Sequence, residues 1–265
     1  MHDLKITTCQ APNSEFVCHA LAEYVGRRLN VATRFIDDIA WQERERRLDT
    51  GEIDVAWICG LPYVWKVDRP DASIELLVAP VMEAERYQDR PIYFSDVVAH
   101  AHSRFQTFAD LRGCTWAYNE PGSHSGYNLT RYQLARMGAT RGYFGRVIES
   151  GAHQTSLQML LKREIDASAI DSTVLELELA RDASIGEQIR IIETWGPSPI
   201  PPWVVLKRIP NEVKRALRDV LLRMHKDEEG RAILRAGQMA RFVEVRDDDY
   251  DMIREMERVA REVFW

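Results

Sequence analysis

The chain has 265 residues, of which 45% are hydrophobic and 29% charged, a composition typical of a soluble globular protein. This length allows one large domain or two smaller lobes, each with a real core. With 35 basic against 41 acidic residues the net charge is −6. Because the chain is acidic and has no basic stripe, nucleic acid is excluded as a partner.

Apolar patterns of strand and helix type alternate along the chain, which predicts an α/β fold. The first block contains predicted strands at 4–9, 31–36, 53–59 and 74–80, with helices at 12–29, 41–49 and from Gly60 onwards. The second contains strands at 92–101, 115–118, 143–149, 165–170 and 189–193, with helices at 108–112, 126–137, 153–163 and 172–183. After the proline-rich run 196–202, the pattern predicts a strand at 203–206 and helices at 210–229 and 248–264.

Two α/β blocks followed by a terminal return fit a lobe–insert–lobe topology. Lobe one is predicted to contain 1–95 plus 200–265, and lobe two 97–196. The chain crossings near 95–97 and 196–202 would then form a hinge.

The segment 115–127 reads as a strand, a turn and the start of a helix, and it carries the most informative polar motif. Ser123 and Ser125 offer hydroxyl groups, and Gly126 allows close approach to the backbone. The first N–H groups of a helix have no internal partner, so such a terminus binds phosphate, phosphonate, sulfate or carboxylate without lysine or arginine. The alternative interpretation is that these serines only cap the helix.

Two further strand–helix junctions follow, one at His153 and one at Asp171. A neutral His153 in the first turn of a helix could donate an N–H to an oxyanion, or it could simply pack. Asp171 could accept from a ligand amine or hydroxyl, or act as an N-cap. All three junctions lie at successive strand ends, and ligands of open α/β sheets bind at that edge.

Several chemistries have no support in the sequence. Its four cysteines form no C-x-x-C pair, no histidine cluster has metal-ligand spacing, and no nucleophile is paired with a base. We therefore predict no catalytic residue, no metal and no cofactor. The N-terminus shows no leader pattern and no segment is long and apolar enough to cross a membrane.

Taken together, the motifs 51–57 (GEIDVAW), 60–63, 93–98, 108–113, 121–127, 150–153 and 165–171 make the chain resemble a known family. It is similar to the phosphonate-, phosphite- and phosphate-type substrate-binding components of ABC importers. The resemblance implies a type II periplasmic-binding-protein fold, in which each lobe is a mixed sheet flanked by helices. It also implies that Ser123, Ser125, Gly126 and His153 hold an oxyanion.

The same resemblance implies that Tyr93 lines the cleft and that Trp41 stands where the family has a lobe-one tyrosine. The predicted ligand-binding set is Ser123, His124, Ser125, Gly126, Tyr127, His153, Asp171, Tyr93, Trp41, Gln10 and Tyr63. For the aromatic residues, core packing is the alternative.

The predicted function is capture of a small anionic ligand in an interlobe cleft for delivery to an ABC permease and ATPase. That role implies a periplasmic or lipid-anchored protein whose leader has been removed; a chain that starts at Met1 would instead work in the cytoplasm. Two other functions remain open on the same fold. One is a cytoplasmic synthase or lyase with His153 or Asp171 as general base, and the other is a ligand sensor.

Overall fold

The computed structural model describes residues 3–265 and divides them into two compact units. Unit 1 contains the residues up to Ile92 and Pro199–Tyr250, and unit 2 contains Tyr93–Ser198 and Asp251–Trp265. The strands are β1 (Leu4–Thr8), β2 (Thr33–Ile36), β3 (Val55–Trp57), β4 (Ile74–Met82), β5 (Ile92–His100), β6 (Thr115–Tyr118), β7 (Arg146–Glu149), β8 (Ala167–Asp171), β9 (Ile189–Pro199), β10 (Trp203–Leu206) and β11 (Met239–Val243).

The α-helices are α1 (Glu15–Leu29), α2 (Trp41–Asp49), α3 (Gly60–Val67), α4 (Leu129–Arg136), α5 (His153–Leu161), α6 (Ser172–Arg181), α7 (Ser184–Gln188), α8 (Asn211–Arg223), α9 (Glu228–Ala236) and α10 (Asp251–Ala260). A π-helical turn, His124–Asn128, leads directly into α4. Within residues 3–265, no helix has both the length and the apolar character that crossing a bilayer requires.

Unit 1 is built on a six-stranded mixed sheet with the order β11-β4-β10-β3-β1-β2. β1 pairs in parallel with β2 and β3, and β10 pairs antiparallel with β3 and β4. The central strands are buried along their whole length, as in Val55–Trp57 and Trp203–Leu206. Burial on both faces explains why their sequences are continuously apolar rather than alternating.

Unit 2 is built on a five-stranded sheet with the order β7-β6-β8-β5-β9. β6 pairs in parallel with β7 and β8, while β5 runs antiparallel to β8. Because side chains alternate along a strand, Trp116 and Ala117 enter two separate cores. The Trp116 core is rich in aromatic residues and includes Phe108, whose ring stacks on Tyr143 with the ring centroids 5.4 Å apart.

The C-terminal part of the chain differs most from the sequence prediction. Helix α10 packs against α4, so residues 251–265 belong to unit 2 and not to lobe one. The apolar face of an amphipathic helix predicts that this face is buried, but it does not predict which neighbouring element buries it. The chain consequently passes between the units at three places, 92–93, 198–199 and 250–251.

Two element predictions were also wrong in detail, and one strand was missed. The proline-rich run 196–202 was expected to separate two strands, but β9 continues through its first part to Pro199. β9 lies at the edge of its sheet, where proline is tolerated. The single helix predicted over 210–229 ends at Arg223, and a new helix starts after Asp227, whose side chain caps Gly230 N–H at 2.8 Å. Strand β11 was not predicted.

The two units repeat one structural pattern at their sheets. In unit 1, Asp54 N–H donates to Lys5 O and Lys5 N–H donates to the Asp54 carboxylate, both at 2.9 Å. In unit 2, Asp166 and Thr115 exchange the same two bonds, at 2.9 and 2.7 Å. Each aspartate belongs to a Glu-Ile-Asp tripeptide that follows a helix and opens a strand. Positions in one unit can therefore be matched with positions in the other.

Candidate anion-binding site in unit 2

The carboxyl ends of three parallel strands place the predicted polar junctions at one edge of the unit 2 sheet. β6 leads to the turn that starts at His124, β7 leads to α5, and β8 leads to α6. Parallel strands end on the same side of a sheet, and this edge is the usual ligand-binding position in α/β folds. The three junctions, which are separate in sequence, therefore lie close together at this edge.

A hydrogen bond joins the first two junctions. Ser125 Oγ lies 3.1 Å from His153 Nε2, and both residues are buried. Ser95, on the neighbouring strand β5, donates its hydroxyl to the Ser125 carbonyl at 2.9 Å and so fixes the turn from below. His153 is the first residue of α5, and no side chain caps the N–H groups of that helix. Donor groups are thus concentrated where the two helices begin.

The imidazole of His153 is neutral at physiological pH. Complete burial lowers the pKa of His153 to about 3, because desolvation penalises the charged ring. Its Nδ1 atom is buried and has no hydrogen-bond partner among residues 3–265. A serine hydroxyl and a neutral imidazole hold two hydrogens between them, and one hydrogen bond uses one of these. Ser125 Oγ also lies 3.5 Å from Ser123 Oγ, so the two serines and His153 hold three hydrogens and form two bonds, which leaves one hydrogen for a further acceptor.

His124 has a different environment, in which both ring nitrogens are bonded within unit 2. Nε2 lies 3.1 Å from Ser198 Oγ and Nδ1 lies 3.1 Å from the Asn128 amide nitrogen. Burial lowers the pKa of His124 to about 3, again through desolvation. Since Asn128 donates to Nδ1, the ring proton is on Nε2. This arrangement makes His124 an internal support of the turn and leaves no ring nitrogen for a ligand.

Ser123 and Gly126 set the shape of the turn. Ser123 is the N-cap residue, and its hydroxyl accepts the Gly126 N–H at 3.0 Å. A Cβ atom added to Gly126 would lie closer than 3.0 Å to Asn119 Oδ1 and 3.1 Å from His153 Cε1. The capping role considered as the alternative for Ser123 is therefore present. Glycine is favoured at this position because the side chains of Asn119 and His153 occupy the space that a Cβ would need.

Asp171 caps the third helix. Its Oδ1 accepts from Thr173 N–H at 2.8 Å and from Thr173 Oγ1 at 2.7 Å. Burial raises the pKa of Asp171 to about 6, although the bonds from Thr173 oppose this shift. A carboxyl group that titrates near neutral pH at a sheet edge is a functional candidate.

The two unit 2 tyrosines of the predicted set both make aromatic ring contacts. Tyr93 is buried, and its ring centroid lies 6.4 Å from that of His124. Tyr127 packs against Tyr118 and Trp265, with ring centroids 5.0 Å apart in each case, and Arg131 lies over its ring. Tyr127 therefore belongs to an aromatic cluster, although it directly follows Gly126 in sequence.

The three unit 1 residues of the predicted set lie within their own unit. Tyr63 is buried, donates its hydroxyl to Asp247 at 2.7 Å and packs on Tyr250. Gln10 follows β1, and its amide nitrogen is buried without a partner among residues 3–265. Trp41 is half-buried and is the first residue of α2. Tyr63 thus stabilises unit 1, whereas Gln10 follows strand β1 and Trp41 begins helix α2.

The structural repeat pairs Trp41 with His153. In unit 1, Phe35 pairs with Ile6, and helix α2 begins six residues after Phe35, at Trp41. In unit 2, Val147 pairs with Trp116, and helix α5 begins six residues after Val147, at His153. Both helices follow an alanine N-cap without a side-chain cap. An indole thus replaces the imidazole at the matching position of unit 1.

Asn119 was missed by sequence reasoning and lies at the centre of the cluster. It follows β6, is buried, and its carbonyl accepts the Gly151 N–H at 2.8 Å. The only sequence signal was its position at a strand end, which many asparagines share. Ser95 and Ser198 were also missed, because they approach from β5 and β9, which are distant in sequence.

The arrangement does not fit hydrolytic or metal-assisted chemistry. No carboxylate bonds the free Nδ1 of His153 within residues 3–265, so the serine–histidine pair lacks the third, orienting member of a catalytic triad. In the same part of the chain, no group of three or more His, Cys, Asp or Glu side chains is placed to hold a metal. The cluster is a set of fixed hydrogen-bonding groups.

Solved structures share this fold. A binding protein component of an ABC phosphonate transporter from Pseudomonas aeruginosa superposes with a TM-score of 0.85 at 18% identity, over 97% of this chain and 86% of that chain. PhnD1 from Prochlorococcus marinus, in complex with methylphosphonate, gives 0.85 at 17% identity, over 98% of both chains. An ancestral arginine-binding protein bound to arginine gives 0.62 at 18% identity, over 89% and 97%. The fold is that of a type II periplasmic binding protein, as predicted.

The family follows from the sequence as a whole. The family model described as "ABC transporter, phosphonate, periplasmic substrate-binding protein" matches residues 10–250. The chain belongs to this family of substrate-binding proteins. The family consists of solute-binding components of ABC transporters and not of enzymes, so the synthase or lyase alternative has no support. Membership implies a small ligand, permease and ATPase partners, and an extracytoplasmic place of action.

Proposed function

We propose that unit 2 binds the oxyanion of a phosphonate-like ligand at the start of the π-helical turn and of α5. Ser125 and His153 supply the side-chain donor, and the first N–H groups of the two helices supply the backbone donors. The observation that carries this proposal is the 3.1 Å contact between Ser125 and His153 at two adjacent helix starts, with an unused ring nitrogen.

The electrostatics support an anion bound by neutral donors. The partial positive charge of a helix N-terminus stabilises an anion, and it also keeps a nearby imidazole neutral. The cluster contains no lysine or arginine side chain that could neutralise a ligand. It therefore suits a ligand with a low negative charge. Small oxyanions with several acceptor oxygens fit this set of donors better than large apolar molecules do.

The place of action and the partners are inferred from family membership. We infer that the chain works outside the cytoplasmic membrane, either free in the periplasm or lipid-anchored, and presents its ligand to the permease and ATPase of an ABC importer. The methylphosphonate bound to the similar protein from Prochlorococcus marinus makes this compound the first ligand to test.

Isothermal titration calorimetry with methylphosphonate, phosphate and sulfate tests the site. Ser125→Ala and His153→Ala each remove a charge-assisted hydrogen bond, worth about 1–3 kcal/mol, so each should weaken binding about 5- to 150-fold. Thr155→Ala is the matched control, because Thr155 is an exposed hydroxyl residue in the first turns of the same helix. Parent-like affinity in both site variants would place the anion elsewhere.

A further inference from the structure

Asn119 has a side-chain acceptor that no group within residues 3–265 satisfies. The residue is only 8% exposed, and its Oδ1 atom is buried with no hydrogen-bond partner among residues 3–265. Leaving a buried carbonyl oxygen unpaired costs about as much as a lost hydrogen bond. A buried acceptor of this kind requires an explanation, and a partner that arrives with the ligand provides one.

The position of this oxygen links it to the proposed anion site. Asn119 Oδ1 lies against the Cα of Gly126, on the side where a Cβ would also meet His153 Cε1 at 3.1 Å. The backbone of Asn119 is held by the Gly151 N–H, two residues before His153. The residue is buried beside both helix starts, so its side-chain amide has little room to turn away.

The charged residues near the site restrict the charge of the ligand, independently of Asn119. The segments 93–98, 119–130, 149–160 and 168–175, which form this edge of the sheet, contain no lysine or arginine. Their acidic residues are Asp96, Glu120, Glu149 and Asp171. Arg131, the first arginine after the turn, lies over the Tyr127 ring and donates to the Val263 carbonyl. Such surroundings favour a singly charged ligand over a doubly charged one.

We propose that Asn119 Oδ1 accepts a hydrogen bond from an O–H group of the bound ligand, so that the site selects the monoprotonated, singly charged form of a phosphonate or phosphate. The Ser125–His153 pair donates to an ionised oxygen of the same ligand, and Asn119 accepts from its protonated oxygen. This inference rests on the proposed function of the site.

The chemistry predicts a sharp discrimination between two ligands of the same shape and charge. Below its second ionisation, which for phosphate-type groups lies near neutral pH, methylphosphonate is a monoanion that carries one O–H. Methanesulfonate is also a monoanion, but it has no hydrogen to donate. A site built to bond a ligand hydroxyl rejects the analogue that lacks it, because the buried acceptor is left unpaired.

The experiment is calorimetric titration of the full chain with both ligands at about pH 5.5. The parent should bind methylphosphonate about 10- to 100-fold more tightly than methanesulfonate. In Asn119→Ala this ratio should fall to about threefold or less. Asn119→Asp keeps an acceptor and penalises both monoanions equally, so it should keep the parental ratio. Thermal unfolding of each variant checks that it is folded.

Each outcome has a distinct meaning. Equal affinity of the parent for the two ligands, or a ratio that survives in Asn119→Ala, overturns the role of Asn119 and leaves anion binding intact. A ratio that is lost in Asp171→Ala and kept in Asn119→Ala assigns the acceptor to Asp171 and also overturns the role of Asn119. Failure of the parent to bind either ligand contradicts the proposed function itself.

Discussion

The substitution Gly126→Ala tests the geometry of the site through the stability of the chain. In an ordinary helical position this change stabilises a protein by about 0.5–1 kcal/mol, because alanine loses less backbone entropy on folding. At Gly126 the new Cβ would lie closer than 3.0 Å to Asn119 Oδ1 and 3.1 Å from His153 Cε1. The space that alanine needs is already occupied.

The entropy effect stabilises the variant and the steric overlap destabilises it, and we expect the overlap to be the larger of the two. Forcing one extra methyl group into a packed interior costs about 1–3 kcal/mol. The overlapping Oδ1 is the end of a side chain, but Asn119 is only 8% exposed, so this side chain has little free space into which it can move. The net result is a loss of about 1–2 kcal/mol, which for a chain of this size lowers the melting temperature by roughly 2–8 °C. Displacement of Asn119 and His153 should also weaken methylphosphonate binding at least about tenfold.

Gly186→Ala is the matched control. Gly186 lies in α7, and a Cβ there would have only Leu179 Cδ2 as a neighbour, at an ordinary 3.6 Å. This variant should be as stable as the parent or more stable by up to about 1 kcal/mol. Thermal unfolding and calorimetric titration are measured on both variants. If Gly126→Ala were as stable as Gly186→Ala and bound methylphosphonate like the parent, the packing derived for Gly126 would be wrong.

Three other changes probe the supports of the site. Ser123→Ala removes the cap of the Gly126 N–H and should cost about 0.5–2 kcal/mol in chemical denaturation; an unchanged midpoint would show that the cap contributes nothing. Burial raises the pKa of Asp171 from 3.8 to about 6, so this group destabilises the native state as pH rises through that interval, by on the order of 3 kcal/mol. Asp171→Asn, which keeps a capping oxygen, should abolish that part of the pH dependence, and a parental profile would refute the assignment. The pKa of His124 is lowered from 6.5 to about 3, so the native state loses stability as pH falls through this range. His124→Gln should reduce the acid-side slope of the unfolding free energy, which an equal slope in parent and variant would contradict.

The sequence predicted the fold class, and it also pointed to the edge of the sheet where we propose that the ligand binds. Alternating strand and helix patterns identified most elements, and strand β6 was located without error at Thr115–Tyr118. Local chemistry is sufficient for this, because propensity and apolar periodicity depend on neighbouring residues. The same locality identified Ser125 and His153, since each stands where a strand gives way to a helix.

Only the tertiary structure separated the residues that we propose as ligand-binding from those whose polar groups are bonded within the protein. His124 and Ser125 are adjacent in sequence, yet His124 is held by Ser198 and Asn128 while Ser125 meets His153. Asn119 gained its significance from Gly126, and α10 joined unit 2 by packing on α4. These relations depend on which surfaces are buried together across long sequence separations. A linear pattern contains the periodicity of each element but not the identity of its neighbour, and that identity decides which polar groups remain free to bind.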